Sequence, residues 1–309
     1  MSSITKVAII GANGNLGQAV LPSIINASFE VTVITRAEST SAFPPNVKVV
    51  KTEYTEKNIA KALQGQDAVL CLIDAGALQV ESLIIDAAAS AGVKWFIPSE
   101  FGHNTLDSRV LEALPILKGK VKVTAQLRSK EQQAMQWTGI VTGLFFDWGL
   151  TRGTFGFDLA KKTAQIWDDG NTKFLATNIQ DIAAALVTLL SDAHARENAK
   201  NRFVHISSFA TTQNETLGLL EKFSGTQFTA THLDSDGLKQ QSLADLSKGN
   251  YSAVLPLIQY AALGRDGLSQ WYEEAEQGRQ LLLPTPRESL EEAVQRVVTE
   301  VAESQRSSL

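Results

Sequence analysis

The chain is short of several residue types, and each shortage removes a class of protein. It has one cysteine in 309 residues, Cys71, so a disulfide within the chain is excluded. Cys71 sits inside the apolar run DAVLCLI, where a buried thiol packing as a small apolar side chain is expected. Such cysteine usage suits a reducing compartment, and a cytoplasmic protein is expected. Nowhere do about 18 uncharged apolar residues run together. The opening MSSITK carries no basic stretch followed by a long apolar segment, so neither a membrane span nor a targeting signal is expected. Blocks of like charge are missing too. With 28 Lys plus Arg against 33 Asp plus Glu and a net charge of -5, no basic face for nucleic acid or anionic lipid is expected. The histidines and the cysteine fall at no metal-ligand spacing, so no metal site is implied. That leaves a small molecule and a second copy of the chain, as a homodimer, as the partners to expect.

What is present is a globular composition, 44% hydrophobic and 20% charged, enough to bury a sizeable core in one large domain or two interleaved ones. Short apolar runs alternate with helical periodicity through the first half. Strands are read at 7–10, 31–34, 47–51, 68–73 and 95–98, and helices at 16–25, 57–63 and 80–90. Strands apolar on both faces call for a parallel sheet sandwiched between helices, and right-handed crossovers make it doubly wound. Beyond Gly102 a long helix is expected over 116–135 and a strand in WTGIVTG. Later come helices at 181–190, 236–248 and 251–263, a strand in FVHIS, and last turns from Pro286 to Ala302. Thr212 and Glu215, at capping-box spacing, announce another helix. The expected division is 1–155 for a dinucleotide-binding domain and 156–309 mainly for a smaller α/β substrate lobe, with segments near 177–207 returning to the main sheet.

Gly11, Gly14 and Gly17 stand between the first strand and first helix as G-x-x-G-x-x-G. A tight turn, close approach of backbone to a pyrophosphate, and a helix packed hard on its strand each ask for glycine there. The helix start then offers free N–H groups to the anion. A plain glycine-rich turn is the bland reading; the flanking strand and helix favour the dinucleotide. At the end of the second strand, where an NAD site places a carboxylate, VTVITRAEST places Arg36. A guanidinium forks onto a 2′-phosphate that a carboxylate would repel, so NADPH is the expected cofactor, against the alternative of a solvated arginine. One absence then bears on the chemistry. The Tyr-x-x-x-Lys pair of many short-chain reductases is missing: Tyr54, Tyr251, Tyr260 and Tyr272 are followed four places later by Asn58, Leu255, Gly264 and Glu276. A reductase on this sheet needs another proton donor.

The segments VAIIGANGNLG, ITR, VKWFIPSEFG, the lysine-bearing helix and WTGIVTGLFFDWGL together resemble the isoflavone reductase and phenylcoumaran benzylic ether reductase family. That family lies in the NmrA-like group of atypical short-chain dehydrogenases, and the fungal isoflavone-reductase-like branch is nearest. The likeness covers most of the first 155 residues and continues through TNIQDIAAALVTLL. It implies an NAD(P)-binding Rossmann fold and an NADPH-dependent reductase. The reductase would carry a hydride to a conjugated or benzylic carbon of a small aromatic, isoflavonoid-like or phenylpropanoid-like, substrate, with one helix lysine as proton donor or relay. Lys120 and Val123 fit the family's K-x-x-[V/I]-R, with Thr124 in place of the arginine. Lys122 competes; about 200° of helix rotation separates the two, so only one faces a cleft. Lys118, Lys120 and Lys122 as plain solvated charges is the rival reading. The implied cofactor contacts are Gly11, Asn13, Gly14, Asn15, Leu16, Gly17, Arg36, Gln79, Ser99 and Phe145. Glu100 is either a locally paired carboxylate or part of the site, and His103 lines the expected cleft. The resemblance also leaves open an NmrA-like regulator that senses NADP(H) without turnover.

Overall fold

The computed structural model describes residues 3–283, 285 and 287–307. The first half holds β1 (Lys6–Ile10), α1 (Asn15–Asn26), β2 (Glu30–Arg36), β3 (Lys48–Thr52), α2 (Glu56–Leu63), β4 (Ala68–Cys71), α3 (Leu78–Ser90), β5 (Trp95–Ile97), α4 (Ser108–Ala113), α5 (Lys118–Lys130) and β6 (Gln136–Val141). Then follow β7 (Leu144–Phe145), α6 (Phe146–Thr151), β8 (Phe157–Asp158), β9 (Thr163–Trp167), β10 (Phe174–Thr177), α7 (Ile179–Ser191), α8 (Ala193–Ala199) and β11 (Arg202–His205). The remainder is β12 (Phe209–Thr211), α9 (Gln213–Ser224), β13 (Thr229–Leu233), α10 (Ser235–Ser247), α11 (Val254–Leu263), α12 (Tyr272–Leu282) and α13 (Leu290–Ser307).

Seven strands form one parallel sheet in the order β11-β6-β5-β4-β1-β2-β3. The chain works outward from β1 to β3, crosses to β4 and works outward the other way. The crevice at the carboxyl ends of β1 and β4 is therefore the switch point at which doubly wound sheets take ligands. Alternation along the strands sorts the core onto two faces. Val7, Ile9, Val33 and Leu70 pack with Ile24 of α1 and Leu186 of α7. Ala8, Ile10, Val69 and Phe96 pack with Ile59 of α2, Ile84 of α3 and Leu127 of α5. Each fully buried branched aliphatic among them contributes roughly 1.5–3 kcal/mol. Cys71 is buried with the second group, and burial pushes its thiol pKa up. The doubly wound α/β fold is as expected.

Two three-stranded sheets, β12-β10-β7 and β13-β9-β8, surround a separate core that includes Phe155, Phe174, Trp167, Tyr260 and Val294. Phe155 stacks on Phe174 with ring centroids 5.4 Å apart. The helix expected over 116–135 is shorter. Pro115 opens a 3-10 turn ahead of α5, and Ala134 takes a left-handed conformation at φ 65°, which stops the helix before β6. The polar stretch before it holds α4, capped by Asp107 Oδ1, which accepts from the Arg109 N–H at 2.9 Å. Thr212 caps α9 by accepting from Glu215 N at 3.0 Å, but the Glu215 carboxylate turns to the Thr211 hydroxyl rather than back to the cap. Pro286, the expected start of the last turns, lies outside the described residues; α13 runs over Leu290–Ser307. Among the described residues no helix is long and apolar enough to cross a membrane.

Candidate active site

The glycine loop joins β1 to α1 in a form that only glycine fits. Gly11 has φ +87°, and a Cβ there would stand 2.3 Å from the Leu72 carbonyl oxygen. A Cβ on Gly17 would meet the Gly11 carbonyl oxygen at 2.3 Å, so α1 lies hard against the loop that precedes it. Gly14 is the N-cap residue; it offers no side-chain cap, and the first turn, opened by Asn15 and Leu16, has no acidic residue. Unfilled amide donors at a helix start favour an anion. The Asn13 amide donates to Ser41 Oγ at 3.0 Å and ties the loop to the segment after β2.

A groove of about 390 Å³ opens here, lined by Gly11, Asn13, Gly14, Arg36, Tyr54 and Ile73 among others. Arg36 ends β2 with an exposed side chain whose Nε lies 3.4 Å from Glu38. Tyr54 donates to the Ile34 carbonyl at 3.2 Å, and burial raises its pKa to about 12, so its hydroxyl stays protonated at pH 7. On the α3 side the lining is Ala77 and Val80, with Gln79 exposed beside them.

Ser99, just past β5, joins this groove to a second space. Its hydroxyl donates to the Ile73 carbonyl at 2.6 Å, its N–H to Glu81 Oε1 at 2.7 Å, and its carbonyl accepts from Lys120 Nζ at 2.6 Å. Lys120 is 6% exposed, whereas Lys122 and Lys118 face solvent. Lys120 is therefore the lysine that α5 turns inward. Its ammonium also lies 3.8 Å from Glu100, itself 1% exposed and accepting from the Thr105 hydroxyl at 3.0 Å. Thr124, where the family pattern has arginine, donates to the Lys120 carbonyl at 3.1 Å within its own helix. Burial pushes the Glu81 and Glu100 carboxyl pKa values up, and the lysine charge partly opposes this at both.

The second space is an apolar chamber of about 440 Å³ with Lys120, His103, Phe145, Trp148, Arg152 and Ile258 in its lining. Phe145 meets Trp148 edge-on, centroids 6.5 Å apart. His103 shares a 3.3 Å hydrogen bond between Nδ1 and Ser269 Oγ, while its buried Nε2 has no partner among the described residues. Burial lowers its pKa to about 4, so it is neutral at pH 7. Among the described residues no group of three His, Cys, Asp or Glu is placed to hold a metal ion. Glu81, Tyr54, Trp148 and Arg152 went unmarked in the sequence. Only Glu81 left a local signal, a lone carboxylate on the helix face that carries Ile84, Ile85 and Ala88.

A groove at the switch point, a glycine loop in its lining and an arginine at the end of β2 fit a phosphorylated dinucleotide. The family model described as the NmrA-like family matches residues 3–255. The chain belongs to the NmrA-like family. Its curated relatives include an oxidoreductase of Aspergillus flavus, aprR, 32% identical over 293 residues, which cover 94% of this chain and 97% of that one. An isoflavone reductase homolog of Zea mays, IRL, is 26% identical over 260 residues, 78% of this chain and 81% of that one. Among solved structures, AtPrR2 with NADP+ and (+)pinoresinol superposes on this NmrA-like chain with a TM-score of 0.79 at 20% identity, covering 96% of this chain and 100% of that one.

Proposed function

We propose that this NmrA-like protein is an NADPH-dependent reductase that delivers a hydride to a conjugated or benzylic carbon of a small aromatic substrate, with Lys120 giving the proton. The observation that carries this reading is the buried ammonium of Lys120 on the chamber lining, bonded to Ser99, which in turn is bonded to Ile73 in the groove. Gly11, Asn13, Gly14, Asn15, Leu16 and Gly17 would hold the pyrophosphate, Arg36 the 2′-phosphate, and Gln79, Ser99 and Phe145 the remainder of the dinucleotide. When bound, the dihydronicotinamide supplies the hydride. Hydride addition to a conjugated carbon, or displacement of a benzylic ether oxygen, leaves negative charge on a substrate oxygen. The Lys120 ammonium stabilises that charge and transfers its proton there. Glu100, close behind, keeps a counter-charge beside the lysine, and the apolar walls exclude water. The pinoresinol and NADP+ complex of AtPrR2, a protein of the same fold, supports the pairing of cofactor and aromatic substrate.

The second reading, a regulator that senses NADP(H) without turnover, gives no role to a lysine turned into an apolar chamber. Purified protein incubated with NADPH and a panel of aromatic enones and benzylic ethers is expected to show loss of nicotinamide absorbance with at least one of them. Lys120→Ala should lower that rate by about 10²-fold or more, with NADPH affinity nearly unchanged and Lys122→Ala near wild type. Tight NADPH binding with no turnover across the panel would favour the sensor.

A further inference from the structure

The polar groups of the chamber are unevenly charged. Three of its lining residues carry basic nitrogens, His103, Lys120 and Arg152, and none is acidic. Two of the three are already engaged within the protein. His103 is neutral at pH 7, and Lys120 is answered by Glu100 at 3.8 Å. Arg152 is different. It follows α6 as its C-cap residue, and its guanidinium carbon lies 4.5 Å over the Trp148 ring. Several arginines elsewhere in the molecule take carboxylates, as Arg265 does with Asp168 at 2.6 Å, Arg279 with Glu276 at 2.6 Å and Arg296 with Glu288 at 2.9 Å. Arg152 instead holds its guanidinium over an indole that is itself a chamber wall. Stacking satisfies the face of a guanidinium and leaves its in-plane N–H donors for an acceptor of matching geometry.

Resting on the reading of the chamber as the substrate site, we propose that it selects aromatic substrates bearing an anionic group, held by Arg152 beside Trp148 while the carbon to be reduced lies toward Lys120. A carboxylate takes two parallel N–H bonds from such a fork, and an ionised ring hydroxyl takes one. Arg152 is exposed at the chamber wall, so the preference comes from the charge and fork geometry of the guanidinium and not from exclusion of water. A neutral aromatic gains the same wall contacts but leaves the guanidinium without a partner.

The test uses the whole protein and two compounds of nearly equal shape, 2-naphthoate and 2-naphthamide, titrated calorimetrically with and without saturating NADP+. Wild type is expected to bind the carboxylate about tenfold or more tightly than the amide, with the preference shrinking as salt is raised. Arg152→Gln should erase the preference while amide binding stays within about twofold. Arg152→Lys, which keeps the charge but loses the planar fork, should retain part of it. Equal affinity of wild type for the two compounds, equal loss of both in Arg152→Gln, or binding of neither would overturn the proposal. NADP+ affinity, read in the same titrations, keeps the two readings apart. Failure to bind NADP+ with the carboxylate preference intact would count against the reductase and not against the anionic ligand.

Discussion

Ser99 connects groups that no local stretch of sequence joins: its hydroxyl, N–H and carbonyl are bonded to Ile73, Glu81 and Lys120. Removing an acceptor from a buried N–H costs roughly 1–3 kcal/mol. Glu81→Ala is therefore expected to lower stability by about that amount in thermal or urea unfolding, whereas Glu81→Gln, which keeps an oxygen in place, should hold it. The pKa of Glu81 is raised in the fold, so the stability tied to its protonated form is present at acid pH and is lost as pH rises through the raised value. Glu81→Gln should flatten that loss as pH rises above 4.5; a variant that tracks wild type over the same rise would show that the carboxyl titrates normally. Lys120 was legible in the sequence because its spacing to Val123 sits on one helix. Which lysine turned inward was not, because that depends on how α5 packs against α3 and the sheet. Glu81 was legible only as a pattern violation, one carboxylate in an apolar stripe, and its partner lies 18 residues away in sequence.

At the scale of elements, α1 is placed by a contact without a side chain. A methyl at Gly17 would strike the Gly11 carbonyl oxygen at 2.3 Å, and the atom it meets is backbone. Gly17→Ala should push α1 away from the loop, cost about 1–3 kcal/mol and weaken NADPH binding through the displaced helix start. Unchanged stability with unchanged cofactor affinity would mean that the loop yields freely. The strand, glycine turn and helix were readable because each sits within a dozen residues and carries its own periodicity. The part of the chain around the second core was readable only in its longer helices. β7 and β8 are two residues each, below the length at which alternation registers, and α12 shows its buried face only through Ala275, Gly278 and Leu282. The overlong helix read over 116–135 came from taking the end of the 3-10 turn at Ile116 and Leu117, and the turn from Glu131 to Ala134, as helix.

Across the whole molecule, two histidines mark the contact between the main sheet and the segment that ends in α12. His103, after β5, meets Ser269, and His205 of β11 packs on Trp271 with ring centroids 5.2 Å apart. Burial lowers both pKa values from 6.5 to about 4. Between those values the unfolded chain binds protons that the native state refuses. Stability is therefore complete above about pH 6.5 and falls as pH drops toward 4, by up to about 1.4 kcal/mol per pH unit for each group. Urea midpoints measured from pH 7 to 4.5 should show this decline, and His205→Gln should lessen it. An equal decline in the variant would place the acid sensitivity elsewhere. The topology of the sheet was foreseeable because parallel strands buried on both faces allow few arrangements. Of the chamber lining, His103, Lys120 and Phe145 were foreseeable, whereas Trp148 of α6, Arg152 at its C-cap and Ile258 of α11 were not, because only the tertiary fold brings these helices to one space.

The central claim is that the groove at the switch point takes a dinucleotide whose third phosphate Arg36 holds. Titration of the protein with NADPH and with NADH, followed by the fluorescence of its five tryptophans, tests it most directly. The account predicts quenching that saturates at concentrations about tenfold or more lower for NADPH than for NADH, and a difference that vanishes in Arg36→Ala. Equal affinity of the wild-type protein for the two nucleotides, or no binding of either, would contradict it.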